Sequence, residues 1–117
     1  MLSALWGWLV AFFFTQLFEL PVYWKACRSL RVGFFASALT HPVVWFVFPV
    51  LLGPLTPALG GGTAYVVVVL LAELFAIVTE GVWLRANAVP RPFLWSLAAN
   101  VFSATAGLVL RETTGLV

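Results

Sequence analysis

The chain has 117 residues, of which 63% are hydrophobic and 9% charged, and its formal net charge is +2. Soluble domains carry about 25% charged residues, so a water-soluble core is excluded as the organising principle. The small positive charge is no nucleic-acid signature, because its meaning lies in where the cations fall along the chain.

Four apolar segments, 2–23, 32–52, 62–84 and 92–110, each match the length of about 20 residues that a helix needs to cross the hydrocarbon. Only helices or closed barrels satisfy their backbone in lipid. These segments are too long for barrel strands and do not alternate polar with apolar. The expected fold is an all-α integral membrane protein, a four-transmembrane-helix bundle forming one domain over 1–117.

The first segment carries Trp6 and Trp8 near one end and Gln16 and Glu19 on a shared face near the other. It lacks the basic start and the small-residue cleavage site of a secretory signal, so it reads as a mature helix whose last turn is limited by Pro21. Lys25, Arg28 and Arg31 follow. Cys27 is the only cysteine, which rules out an internal disulfide and reads as a small apolar residue. The second segment places Ser37, Thr40 and His41 on one side. Pro42 and Pro49 lie within it, and a bend is expected near its middle, where Pro42 frees the carbonyl of Ala38. The stretch 53–62 reads as an uncharged turn, and its three glycines are not a phosphate loop because no lysine follows.

The third segment carries Glu73 and Glu80, two helical turns apart on one stripe, with Ala72 and Ala76 small enough for close helix approach. Arg85 and Arg91 lie in the stiff connection to the fourth segment, where Ser96, Asn100 and Ser103 recur at spacings of four and three. Both basic loops are therefore expected in the cytoplasm and both termini outside. Trp24, Trp83 and Trp95 fit an aromatic belt at the inner interface.

Every segment thus has one polar stripe. At 1.5 Å per residue, Glu19 and Glu80 are expected roughly 7 Å below the inner boundary, His41 roughly 15 Å and Glu73 roughly 18 Å. Gln16, Ser37 and Asn100 fall between, while Ser103 is assigned to the sparsely polar outer half. An ionisable group in such a segment costs roughly 2.5–3.5 kcal/mol on insertion scales, so these side chains should face one another and mark a site. Glu73 is the hardest to explain otherwise, since no cation lies near it on its own helix. It can pair with His41, either as ions or as a neutral hydrogen-bonded pair. The plainer alternative is helix glue, at about 0.6–2 kcal/mol per contact, and it suits Asn100, Ser96, Ser103, Thr40 and Gln16 best.

Two hairpins share a pattern. Glu19 precedes Lys25 as Glu80 precedes Arg85, and Ser37–His41 matches Ser96–Asn100 in spacing. A parallel duplication would give this, and so would any two basic-turned hairpins.

The motifs Glu19-Leu20-Pro21, Thr40-His41-Pro42, Ala72-Glu73 with Glu80, and Ala99-Asn100 with Ser103 resemble a group of short bacterial four-helix inner-membrane proteins. That resemblance implies a multi-pass protein of the bacterial inner membrane and carries over no mechanism. Small multidrug exporters and fluoride channels have similar size, but their key motifs do not appear here. Three functions remain open. The first is binding or translocation of protons or a small cation or substrate, through Glu73, Glu80, His41, Glu19 and Asn100. The second is an accessory subunit whose stripes dock a partner. The third is an intramembrane enzyme using Glu and His acid–base chemistry. With no aspartate and one histidine, a paired-aspartate protease and a zinc set are poor fits. No metal is expected and no cofactor is indicated. The partners expected are the lipid bilayer and either further copies of the chain or a larger membrane complex, with no nucleic acid.

Overall fold

The computed structural model describes residues 2–115. These residues form five α-helices: α1 (Leu2–Cys27), α2 (Leu30–Phe46), α3 (Leu52–Leu59), α4 (Gly61–Ala86) and α5 (Pro92–Thr114), with a 3-10 turn at Phe48–Leu51 joining α2 to α3. The α2–α3 run acts as one rod, so the chain has four helical rods long and apolar enough to cross a membrane. The longest dimension is 44 Å, close to the ~40–45 Å of a bilayer with its headgroups.

The rods pack in a ring. α1 lies against α2 and α5, and α4 lies against α2 and α5; neither diagonal pair, α1 with α4 or α2 with α5, is in backbone contact among the described residues. The reason is visible in side-chain size. On α4 the buried positions Ala64, Val68, Ala72, Ala76, Glu80 and Leu84 recur every four residues, with Gly81 beside them. That row is mostly small, so neighbouring helices come close, and van der Waals packing replaces the hydrophobic drive that lipid does not supply. The leucines, valines and phenylalanines point outward instead; Leu70, Leu74 and Val82 on α4 and Leu94, Val101 and Leu108 on α5 are all exposed.

Two differences from the sequence expectation concern the helix ends. The stretch read as an open turn at 53–62 is helical through Leu59. It turns only at Gly60, whose φ of +84° a side chain would resist. Pro42 sits inside the α2 helix, and the regular hydrogen-bond pattern gives way later, at Val47–Leu51, where Pro49 begins the 3-10 turn. Further, α1 runs past Trp24 to Cys27. Glu19 is therefore eight residues from the helix end, or roughly 12 Å along the axis, deeper than counted from the tryptophan.

At the basic end both hairpin turns are tight. Ser29 caps α2 by accepting the Val32 amide at 3.2 Å, and Arg28 and Arg91 take left-handed backbone with φ of +55° and +52°. The two hairpins are stitched there by Trp83, whose indole N–H donates to the Val32 carbonyl at 2.9 Å. Beneath it, Tyr23, Ala36, Leu84, Val89 and Ala99 form a buried apolar cluster. Gly33 permits this closure, since a Cβ there would stand 2.9 Å from Cβ of the fully buried Tyr23. Gly33→Ala is expected to cost about 1–3 kcal/mol through overpacking, read as a lowered midpoint of thermal unfolding in detergent micelles.

Candidate functional site

Two carboxyl groups sit at the centre of the ring. Glu19 on α1 and Glu80 on α4 are 2% and 1% exposed. Each continues a four-residue row of inward positions, Ala11–Thr15–Glu19–Tyr23 on α1 and Ala72–Ala76–Glu80–Leu84 on α4, and cannot turn to lipid without turning the row.

Each carboxyl is held by side chains from other helices. Glu19 Oε1 accepts from Ser37 Oγ of α2 at 2.6 Å, and its Oε2 accepts from Ser103 Oγ of α5 at 2.5 Å. Glu80 Oε1 accepts from the hydroxyl of Tyr23 on α1 and from Nδ2 of Asn100 on α5 at 3.2 Å. Its Oε2 accepts from Oγ1 of Thr40 on α2 at 2.6 Å. All four rods meet in this network, and the Tyr23–Glu80 bond crosses the diagonal where backbones do not touch. None of the five donors is a cation. Hydrogen bonds from neutral donors satisfy carboxyl lone pairs without cancelling charge, so any charge here is balanced by a bound proton or an incoming cation.

Beside the network lies a cavity of about 130 Å³, lined by Thr15, Glu19, Thr40, His41, Glu73, Glu80, Asn100 and Ser103 with three small apolar residues. At about 30 Å³ per molecule in the liquid, that is space for about four waters. No lysine or arginine lines it. No protein-family model, no curated protein and no solved structure matches this chain.

The expected residues separate into three groups. Glu19, Glu80, Ser37, Asn100 and Ser103 converge in the network. Ser103 thus belongs to the carboxyl cluster and not to an outer half, because the longer α1 lowers Glu19 to its level. Glu73 and His41 share the cavity wall, but no hydrogen bond joins them. Glu73 lies half-buried at the edge of the α4 row, seven residues before Glu80. His41 is packed among aromatic rings: Phe12 at 5.4 Å, Trp8 at 6.2 Å and Trp45 stacked at 6.2 Å between ring centres. Its Nδ1 is buried there with no hydrogen-bond partner among the described residues. Gln16 and Ser96 act elsewhere as helix glue. Gln16 Nε2 donates to the Phe34 carbonyl at 3.0 Å, and Ser96 Oγ donates to the Ile77 carbonyl at 2.7 Å.

Tyr23 is the functional residue that sequence reasoning missed. It was given no role as the last residue of the first apolar segment, and it is fully buried. The available signal was its spacing, four residues after Glu19 on the same face. Thr40 was assigned to glue and turns out to serve Glu80 directly. Thr40→Val keeps the shape and removes the donor. It is expected to cost about 1–3 kcal/mol by leaving a buried carboxyl oxygen unserved, measured as a drop in thermal or denaturant midpoint. A Thr40→Ser control should retain most of the stability.

Proposed function

We propose that this protein binds and translocates protons or a small cation across the membrane through the Glu19–Glu80 cluster and its cavity. One observation carries the reading: two carboxyl groups, buried between helices apolar enough to cross a membrane, are served entirely by neutral donors beside a polar cavity that no lysine or arginine among the described residues lines. A structural pair buried for stability alone would be expected to include its own cation. A site that leaves the counter-charge to come from outside is suited to loading and release, and intramembrane ionisable residues commonly mark such pathways.

The surrounding reading is consistent with this. Lys25, Arg28, Arg31, Arg85 and Arg91 all flank the two hairpin turns, which supports a cytoplasmic basic end with both termini outside. In each hairpin one glutamate meets a donor of its own hairpin and at least one of the other, which favours a parallel hairpin duplication. We place the protein in the bacterial inner membrane, alone, with further copies of itself or in a larger complex.

The test is flux through the full chain in liposomes loaded with a pH-sensitive dye. Under an imposed gradient, Glu80→Gln and Glu73→Gln should each lower the rate at least tenfold while the protein remains folded by circular dichroism. Unchanged rates in both folded variants would remove transport and favour the accessory-subunit reading, in which the same changes weaken assembly instead.

A further inference from the structure

The cavity has a chemical polarity that narrows its occupant. Most of its donors are already committed. The single hydroxyl hydrogens of Thr40 and Ser103 go to Glu80 and Glu19, and the Asn100 amide donates to Glu80 and to the Ser96 carbonyl. What remains toward the cavity is acceptor capacity, chiefly the Glu73 carboxyl, which no hydrogen bond from the described residues satisfies. His41 adds an imidazole that packs against Phe12 and Trp45 and whose buried Nδ1 has no hydrogen-bond partner among the described residues. Thr15 adds a hydroxyl. A wall whose strongest unsatisfied group is a carboxyl disfavours anions and suits a donor that carries positive charge.

Metal cations fit this wall less well. No group of three or more His, Cys, Asp or Glu side chains among the described residues is arranged to hold a metal ion. Hard cations such as sodium also need many oxygen ligands, which transporters commonly supply from unwound backbone carbonyls at mid-membrane. Here α1, α4 and α5 are unbroken helices, and the irregular stretch at Val47–Leu51 lines no part of the cavity. An ammonium-type cation needs no such oxygen shell. Its N–H groups satisfy scattered acceptors one by one, and ammonium or a primary amine of a few heavy atoms is compatible with about 130 Å³.

We infer that the cavity is a binding site for ammonium or a small protonated amine, with Glu73 as its anionic anchor and Thr15 and His41 as flanking acceptors. The inference rests on the proposed cation pathway and names its substrate class. Glu19 and Glu80 then form the floor of the site, already saturated with bonds, and Glu73 is the group left to meet the arriving cation.

The test is thermal unfolding of the full chain in detergent micelles at fixed pH and ionic strength, titrated separately with ammonium, methylammonium, tetramethylammonium and sodium chlorides. A ligand of the folded state raises the midpoint with its concentration. Ammonium and methylammonium should give a saturable rise. Sodium, and tetramethylammonium with no N–H to donate, should give none. Glu73→Gln should weaken the apparent affinity for ammonium at least tenfold. Should that variant fail to fold, Thr15→Val replaces it, with at least threefold weakening expected. An equal response to sodium, no response to ammonium, or wild-type affinity in the folded variant overturns the inference. Proton flux that is lost in Glu80→Gln, in a protein indifferent to ammonium, would sink this assignment and leave the proposed function standing. Ammonium binding without any flux would do the reverse.

Discussion

Burying a carboxyl group inside a membrane is the constraint around which this molecule is arranged. The cost of placing Glu19 and Glu80 where they lie is high, and no neighbouring lysine or arginine offsets it. The chain answers with hydroxyl and amide donors drawn from other helices. That answer fixes the helix faces. Ser37 and Thr40 must point inward on α2, Asn100 and Ser103 on α5, and Tyr23 on α1. Once those faces are set, the small residues between them define how closely the rods approach, and the bulky aliphatic side chains are left to the lipid.

Much of this was legible in the sequence, because the signals were strong and local. Four apolar runs of bilayer length leave little choice of fold class. Periodicity placed Glu80, Asn100 and Ser37 on inward stripes, and they meet. What escaped was register between helices. Depth counted from Trp24 treated the tryptophan as the helix end, while α1 continues to Cys27, so the bond between Ser103 and Glu19 was not anticipated. Tyr23 was passed over because it closes the first apolar segment, where no polar stripe was traced beyond Glu19. The expected Glu73–His41 pair does not form, although both line one cavity, because the aromatic rings of Trp8, Phe12 and Trp45 hold the imidazole. The helix at 52–59 was missed for a different reason. Its prolines and glycines read as turn formers, yet Pro54 stands in its first turn, where a missing N–H costs little, and Pro57 is accommodated within so short a helix.

Three of the four glutamates, Glu19, Glu73 and Glu80, line the cavity, and they are not equivalent. Two are fully clasped and out of reach of lipid, and the third is half-buried with its bonding capacity unspent. Sequence alone ranked Glu73 first for its depth and isolation. The geometry makes it the group facing open space, and gives the work of holding the bundle together to Glu19 and Glu80. Separating an architectural pair from a receptive single group allows the receptive one to change partners without loosening the scaffold. The aromatic packing around His41 has a related effect: it holds the imidazole in place where the residue lines the cavity.

The clasp also has a mechanical side. Of the bonds to the two carboxyl groups, Ser103–Glu19, Tyr23–Glu80 and Thr40–Glu80 run between the α1–α2 hairpin and the α4–α5 hairpin. Tilting of one hairpin against the other strains these three bonds together with the Trp83–Val32 bond at the basic end. In the proposed pathway, a proton that moves onto Glu19 or Glu80 competes with these donors directly, whereas a cation held at Glu73 does not. In the proposed pathway, protonation of the clasp and the angle between the two halves are therefore tied by shared atoms, while occupancy at Glu73 leaves that angle alone.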